Sequence, residues 1–124
     1  MAEKEAQKVR KYDFVLADLD PVKGSEQRGT RPCVVVQNNN ANVSRLQTVT
    51  VIICTSVLKK TPDGLFVRAS KENGLTEDSR IEVSQLRTID RTRILKKYGV
   101  LEFIYREDLR HKLFDFFDLY DVLA

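Results

Sequence analysis

Between Tyr12 and Ile89 the apolar residues come in short β-branched runs, each cut off by turn-forming residues. A helix of ordinary length has no room to develop between such breaks, so the pattern predicts strands. The first run spans 13–19, and a second spans 33–37, starting just after Pro32, where a strand tolerates proline. Residues 48–55 (Thr-Val-Thr-Val-Ile-Ile-Cys-Thr) are the most apolar run and are expected at the centre of a sheet. Alternating patterns at 65–69 and 80–83, and a short run at 86–89, add further strands. The asparagine-rich 38–42, Pro62 with Gly64, and Gly74 mark the turns between them. Many short strands with close turns predict a small barrel or sandwich rather than a parallel sheet.

The C-terminal segment has a different period. Over 106–123, Leu109, Leu113, Phe116, Phe117 and Tyr120 recur at helical spacing. Its polar positions carry both signs, whereas membrane-surface helices are usually basic. The expectation is a helix packed on the sheet. With 124 residues the chain fits one domain, 12–124, preceded by a charged, solvated arm at 1–11. No apolar run is long enough to span a bilayer, and the first residues contain no apolar segment, so a cytoplasmic location and no membrane partner are expected.

A net charge of +3 permits an anionic polymer as partner without demanding one. Cys33 and Cys54 each sit in a β-branched run and are expected to be buried, reduced thiols. With no Cys-x-x-Cys pair and His111 as the single histidine, a zinc site is not expected. No metal or other cofactor is called for, although a carboxylate-held Mg²⁺ stays open.

The segment 18–32 joins two of the apolar runs and is too polar and glycine-rich to be core. It gathers Ser25, Glu26, Gln27, Arg28, Thr30 and Arg31 between Gly24 and Pro32. That set of donors with one carboxylate suits a phosphate ester, and loops held by strands are common places for sites. On composition alone a solvated hairpin loop fits as well.

The wording of that loop, Pro21-Val-Lys-Gly-Ser-Glu-Gln-Arg-Gly-Thr-Arg-Pro32, closely resembles the signature of the MazF/PemK-like toxins of bacterial toxin–antitoxin systems. The resemblance continues through Cys33-Val-Val-Val-Gln-Asn-Asn, Ile52-Ile-Cys-Thr-Ser56 and Gln85-Leu-Arg-Thr-Ile-Asp90, over roughly residues 12 to 122 and in the family's order. It implies a mainly β fold with a C-terminal α-helix, a small SH3-like β-barrel of the MazF/CcdB type. It also implies a metal-independent endoribonuclease that cuts single-stranded RNA, forms a homodimer and binds a cognate antitoxin protein. The implied products are a 2′,3′-cyclic phosphate and a 5′-hydroxyl.

In RNA the 2′-hydroxyl lies beside the scissile phosphate, so the nucleophile is already in place. The protein needs to supply a proton acceptor, a proton donor and positive charge for the transition state. The chain has no histidine pair to do this. By resemblance, Arg31 is the catalytic arginine and holds the phosphate, its fork matching the phosphate oxygens. Thr55 matches the hydroxyl residue at the end of the central strand, and Ser56 is a helper. Ser25, Glu26 and Gln27 support the site or touch RNA, with Glu26 more readily a brace or antitoxin contact than a base.

Some relatives carry a carboxylate where this chain has Ser84. The proton acceptor is therefore open, with Glu82 and Asp90 as alternatives and Asp90 also suited to cap the following turn. Arg87, Arg91, Arg93, Lys96 and Lys97 form the densest basic stretch, either a phosphate-tracking surface or a solvated strand and turn. Arg87, inside the matched motif, is the expected RNA contact. Two rivals remain. A CcdB-like gyrase poison relies on a C-terminal tryptophan, which this chain lacks. An RNA-binding module without catalysis is kept open by Ser84.

Overall fold

The computed structural model describes residues 8–21, 23, 24 and 29–120. Its strands are β1 (Asp13–Asp18), β2 (Thr30–Val35), β3 (Thr48–Thr55), β4 (Gly64–Val67), β5 (Ser79–Asp90) and β6 (Ile94–Val100). Two helices, α1 (Asn39–Asn42) and α2 (Phe103–Phe117), complete it. The strands form one sheet in the order β4-β5-β3-β2-β1-β6, and the pairs are antiparallel. The mainly β expectation with a C-terminal helix holds, and the most apolar strand, β3, lies in the interior of the sheet.

Strand period explains why the apolar runs are nearly continuous. Val15, Ala17, Cys33, Val35, Val51 and Ile53 belong to one buried cluster. Their alternating neighbours Phe14, Val34, Ile52 and Cys54 belong to a second, together with Leu109 of α2. Both faces of the central strands are covered, so both sets of positions must be apolar.

Several elements depart from the sequence expectations. β2 begins at Thr30, before Pro32. Pro32 pairs with Leu16 of β1, while the ladder to β3 starts only at Cys33, so the missing N–H interrupts no bond on that side. The two short strands expected at 80–83 and 86–89 are one strand, β5, running through exposed Ser84. Its pairing with β3 shifts register between Ile52 and Cys54. That irregularity accommodates the polar residues that read as a break. β6 falls in the stretch read as basic surface; it is an edge strand with Leu95, Lys96 and Lys97 exposed. The Asn-rich connection contains α1, capped by the Asn38 carboxamide accepting from the Ala41 N–H at 2.9 Å.

The helix expectation needs the largest correction. α2 starts three residues before 106, and of its predicted apolar face only Leu109 is buried, with Leu113 partly so. Phe116, Phe117 and Tyr120 are 45%, 50% and 61% exposed. Of the arm expected at 1–11, residues 1–7 lie outside the described residues. Residues 8–11 are docked rather than solvated: Val9 lies in the core, Lys97 Nζ donates to the Lys8 carbonyl, and the Lys11 N–H donates to Asn39 Oδ1. No described helix is long and apolar enough to cross a membrane.

Candidate active site

Arg31 stands second in β2, and Thr55 is the last residue of β3. Cys33 faces Ile53 across these two strands. That pair ends the ladder; Arg31 and Thr55 lie two residues beyond it on their strands, where an unbroken antiparallel register would oppose them. On its other side Thr55 pairs with Arg80 of β5. Thr55 thus lies next to Arg80 at the end of the sheet where β2 enters from the loop.

Thr55 is buried, at 5% exposure. Its Oγ1 accepts the Val57 N–H at 3.2 Å, which turns the chain out of β3. With a lone pair so engaged, the hydroxyl proton is directed to another acceptor. Ser56 is exposed beside it.

A cleft of about 310 Å³ opens at Arg31 and Ser56, and Thr55 is not among its lining residues. Its polar lining includes Arg31, Ser56, Thr76, Glu77, Ser79 and Tyr98, with Cys54 and Leu16 among the apolar walls. Glu77 and Tyr98 were not singled out from sequence. Glu77 sits in a turn-rich segment and Tyr98 in the unassigned β6, so no local pattern marked either. Burial raises the Tyr98 phenol, so it stays protonated and able to donate. Of the residues lining this cleft, Glu77 is the carboxylate.

The two suggested acceptors have other work. Asp90 caps the 3-10 turn at Arg91–Arg93, its Oδ1 accepting the Thr92 N–H at 2.9 Å and the Thr92 hydroxyl at 2.7 Å. These bonds hold its carboxyl below the ordinary value of 3.8. Glu82 is buried, accepts from the Thr61 hydroxyl at 2.9 Å and lies 3.1 Å from Arg80 Nε. Neither lines the Arg31 cleft.

Arg87 is half-buried in β5, and its Nη1 donates to the Leu19 carbonyl at 3.0 Å. Positive charge from Arg87 and Arg31 reaches the Cys33 thiol, yet burial dominates and pushes it up to about 12. Cys54 is also pushed upward by burial, so neither buried thiol supplies a nucleophile at neutral pH. His111 is exposed on α2, 3.7 Å from Glu107 and away from the cleft. Ser25, Glu26 and Gln27 lie outside the described residues. Among the described residues no three His, Cys, Asp or Glu side chains are grouped to hold a metal ion.

The sequence matches the family of PemK-like, MazF-like toxins of type II toxin–antitoxin systems over residues 10–117. The chain belongs to that family. It is 40% identical over 94 residues to Endoribonuclease MazF of Staphylococcus epidermidis, covering 75% of this chain and 78% of the relative. The fold of this MazF-like toxin is also that of solved family structures. MazF from Deinococcus radiodurans superposes with a TM-score of 0.74 at 20% identity, covering 89% of this chain and 96% of that one. A mycobacterial endoribonuclease solved in complex with its cognate antitoxin superposes with a TM-score of 0.73 at 15% identity, covering 90% and 96%.

Proposed function

We propose that this MazF-like toxin is a metal-independent endoribonuclease that cleaves single-stranded RNA, messenger RNA included, by attack of the 2′-hydroxyl on the adjacent phosphodiester. The observation that carries the reading is the polar cleft that brings Arg31, at the start of β2, to Ser56, the residue after Thr55 at the end of β3. In this reading Arg31 holds the phosphate and stabilises charge that develops on its oxygens. Thr55 donates its hydroxyl proton to the phosphate or orients the 2′-hydroxyl, with Ser56 beside it. The products carry 2′,3′-cyclic phosphate and 5′-hydroxyl ends. Glu77 and Tyr98 are the acid–base groups the cleft offers.

Single strands suit such a site because splayed bases expose their edges. A cytoplasmic homodimer regulated by a cognate antitoxin completes the proposal. Support for the antitoxin comes from the family and from the similar mycobacterial enzyme solved with its own.

The test is incubation of purified protein with a long single-stranded RNA in excess chelator, beside Arg31→Ala and Thr55→Ala. Cleavage by wild type with chelator present, and little by either variant, is expected. Strong inhibition by chelator would overturn the metal-free chemistry, and unchanged cleavage by Arg31→Ala would overturn the site. Gyrase inhibition without RNA cutting would establish the poison instead, and RNA binding without cutting a silent module.

A further inference from the structure

Three successive carbonyl groups, those of Asp18, Leu19 and Asp20, lead out of β1 into the loop that returns as β2. Arg93 Nη1 donates to the carbonyl of Asp18 at 3.0 Å and to that of Asp20 at 2.6 Å. Arg87 Nη1 donates to the carbonyl between them, Leu19, at 3.0 Å. The two arginines between them hold three successive carbonyls of the segment.

Backbone pairing alone does not hold this segment. The β1–β6 ladder ends at Ala17↔Ile94, just after a register shift between Leu16 and Ala17. Beyond that pair the Arg93 side chain, one residue before Ile94, takes the place of ladder bonds. The neck of the loop is closed by the Leu19 N–H donating to the Gly29 carbonyl at 3.0 Å and the Gly29 N–H donating to Asp20 Oδ1 at 3.1 Å. Gly29 adopts φ +81°, a conformation open to glycine, and Arg31 follows two residues later. The Asp20 carboxylate that holds Gly29 is thus itself held, through its own backbone carbonyl, by Arg93.

Resting on the nuclease reading of this cleft, we infer that Arg93 is a positioning residue: its guanidinium fixes the Asp18–Asp20 segment and so sets where the Gly29–Arg31 arm presents the Arg31 guanidinium to the RNA phosphate. It touches no reacting atom. From sequence Arg93 read as one member of a phosphate-tracking basic stretch. Here its Nη1 is engaged by two backbone carbonyls instead.

The experiment uses full-length wild type, Arg93→Gln and Arg93→Lys. Single-turnover cleavage of a single-stranded RNA, the salt dependence of binding to its 2′-O-methyl analogue, and amide exchange at Leu19 and Gly29 are measured. Arg93→Gln is expected to slow cleavage by about tenfold or more, since small displacements of a binding group are costly to rate. Its log–log salt slope should stay at the wild-type value, and exchange at Leu19 and Gly29 should quicken. Arg93→Lys, which keeps a cationic donor, should recover most of the rate.

A slope flattened by about one unit would make Arg93 a phosphate contact and overturn the inference. So would cleavage by Arg93→Gln at the wild-type rate, or unchanged exchange at both amides. If wild type itself fails to cut RNA, the nuclease reading falls, and the exchange data still decide whether Arg93 holds the neck.

Discussion

Arg87 of β5 and Leu19 at the end of β1 are joined by a 3.0 Å hydrogen bond across a sequence separation of 68 residues. The residue expected to touch RNA is therefore also a brace for the loop that precedes Arg31. Bracing engages Nη1 and leaves the rest of the fork available. Arg87→Ala is expected to flatten the salt slope of RNA binding by about one unit. An unchanged slope in a filter-binding series would leave Arg87 as a brace alone.

Thr55 separates hydroxyl chemistry from packing. Thr55→Val keeps the volume but removes the acceptor of the Val57 N–H. Stability should fall by about 1 kcal/mol, while single-turnover cleavage should fall by roughly 10²-fold, the scale seen when a transition-state hydrogen bond is removed. Thr55→Ser should retain most of both. Equal losses of rate in the two variants would show that the hydroxyl does not act in the reaction.

The buried thiols give a prediction in alkali. The Cys33 thiol is raised from 9.0 to about 12, so the folded state keeps a proton that the unfolded chain releases. Its contribution is intact below the unfolded value of 9.0 and is lost as pH rises from there towards about 12. Cys33→Ala should show a shallower alkaline fall in Tm than wild type. Alkylation of the native protein at mildly alkaline pH should proceed no faster than unfolding.

Asp90 gives the opposite sign. Its carboxyl is held below 3.8 by the Thr92 N–H and hydroxyl. The cap therefore stabilises fully above the unfolded value and loses its contribution as pH falls through the lower folded value. Asp90→Asn, which keeps an acceptor oxygen but cannot titrate, should flatten the acid limb of a Tm-against-pH curve. A limb identical to wild type would remove Asp90 from the acid response.

α2 tests what its apolar pattern is for. Leu109→Ala should lower stability by about 2–5 kcal/mol, because that side chain is fully buried. Phe116→Ser changes a half-exposed ring and should stay within about 0.5 kcal/mol in a protein kept monomeric by dilution. If the proposed homodimer covers this face, Phe116→Ser should weaken association in sedimentation while leaving monomer unfolding in urea nearly unchanged.

Fold class was legible because strand burial writes itself into sequence at period two and helix burial at 3.6. β3 was read with its observed bounds, since Thr48–Thr55 is β-branched except at Cys54 and set off by polar residues. β6 was not, because Ile-Leu-Lys-Lys-Tyr-Gly-Val lies on a sheet edge with solvent on much of it, which removes the contrast that pattern reading needs. α2 failed in the reverse way. Its helical period was visible, but sequence spacing does not reveal how far a neighbouring surface extends. The described surface stops at Leu113, leaving Phe116 and Phe117 outside it.

The family resemblance named Arg31, Thr55 and Arg87 as residues to watch, because the wording and order of motifs are properties of the chain itself. Which of them meet depended on strand register, a relation between residues distant in sequence that no local pattern encodes. The fold brought Arg31, Ser56, Glu77 and Tyr98 to one cleft and set Arg87 and Arg93 against the backbone of residues 18–20. A carbonyl left without a strand partner takes a donor from wherever the fold can bring one. That need is met only after the sheet has formed, so the sequence by itself shows the arginines and only the tertiary structure shows what they hold.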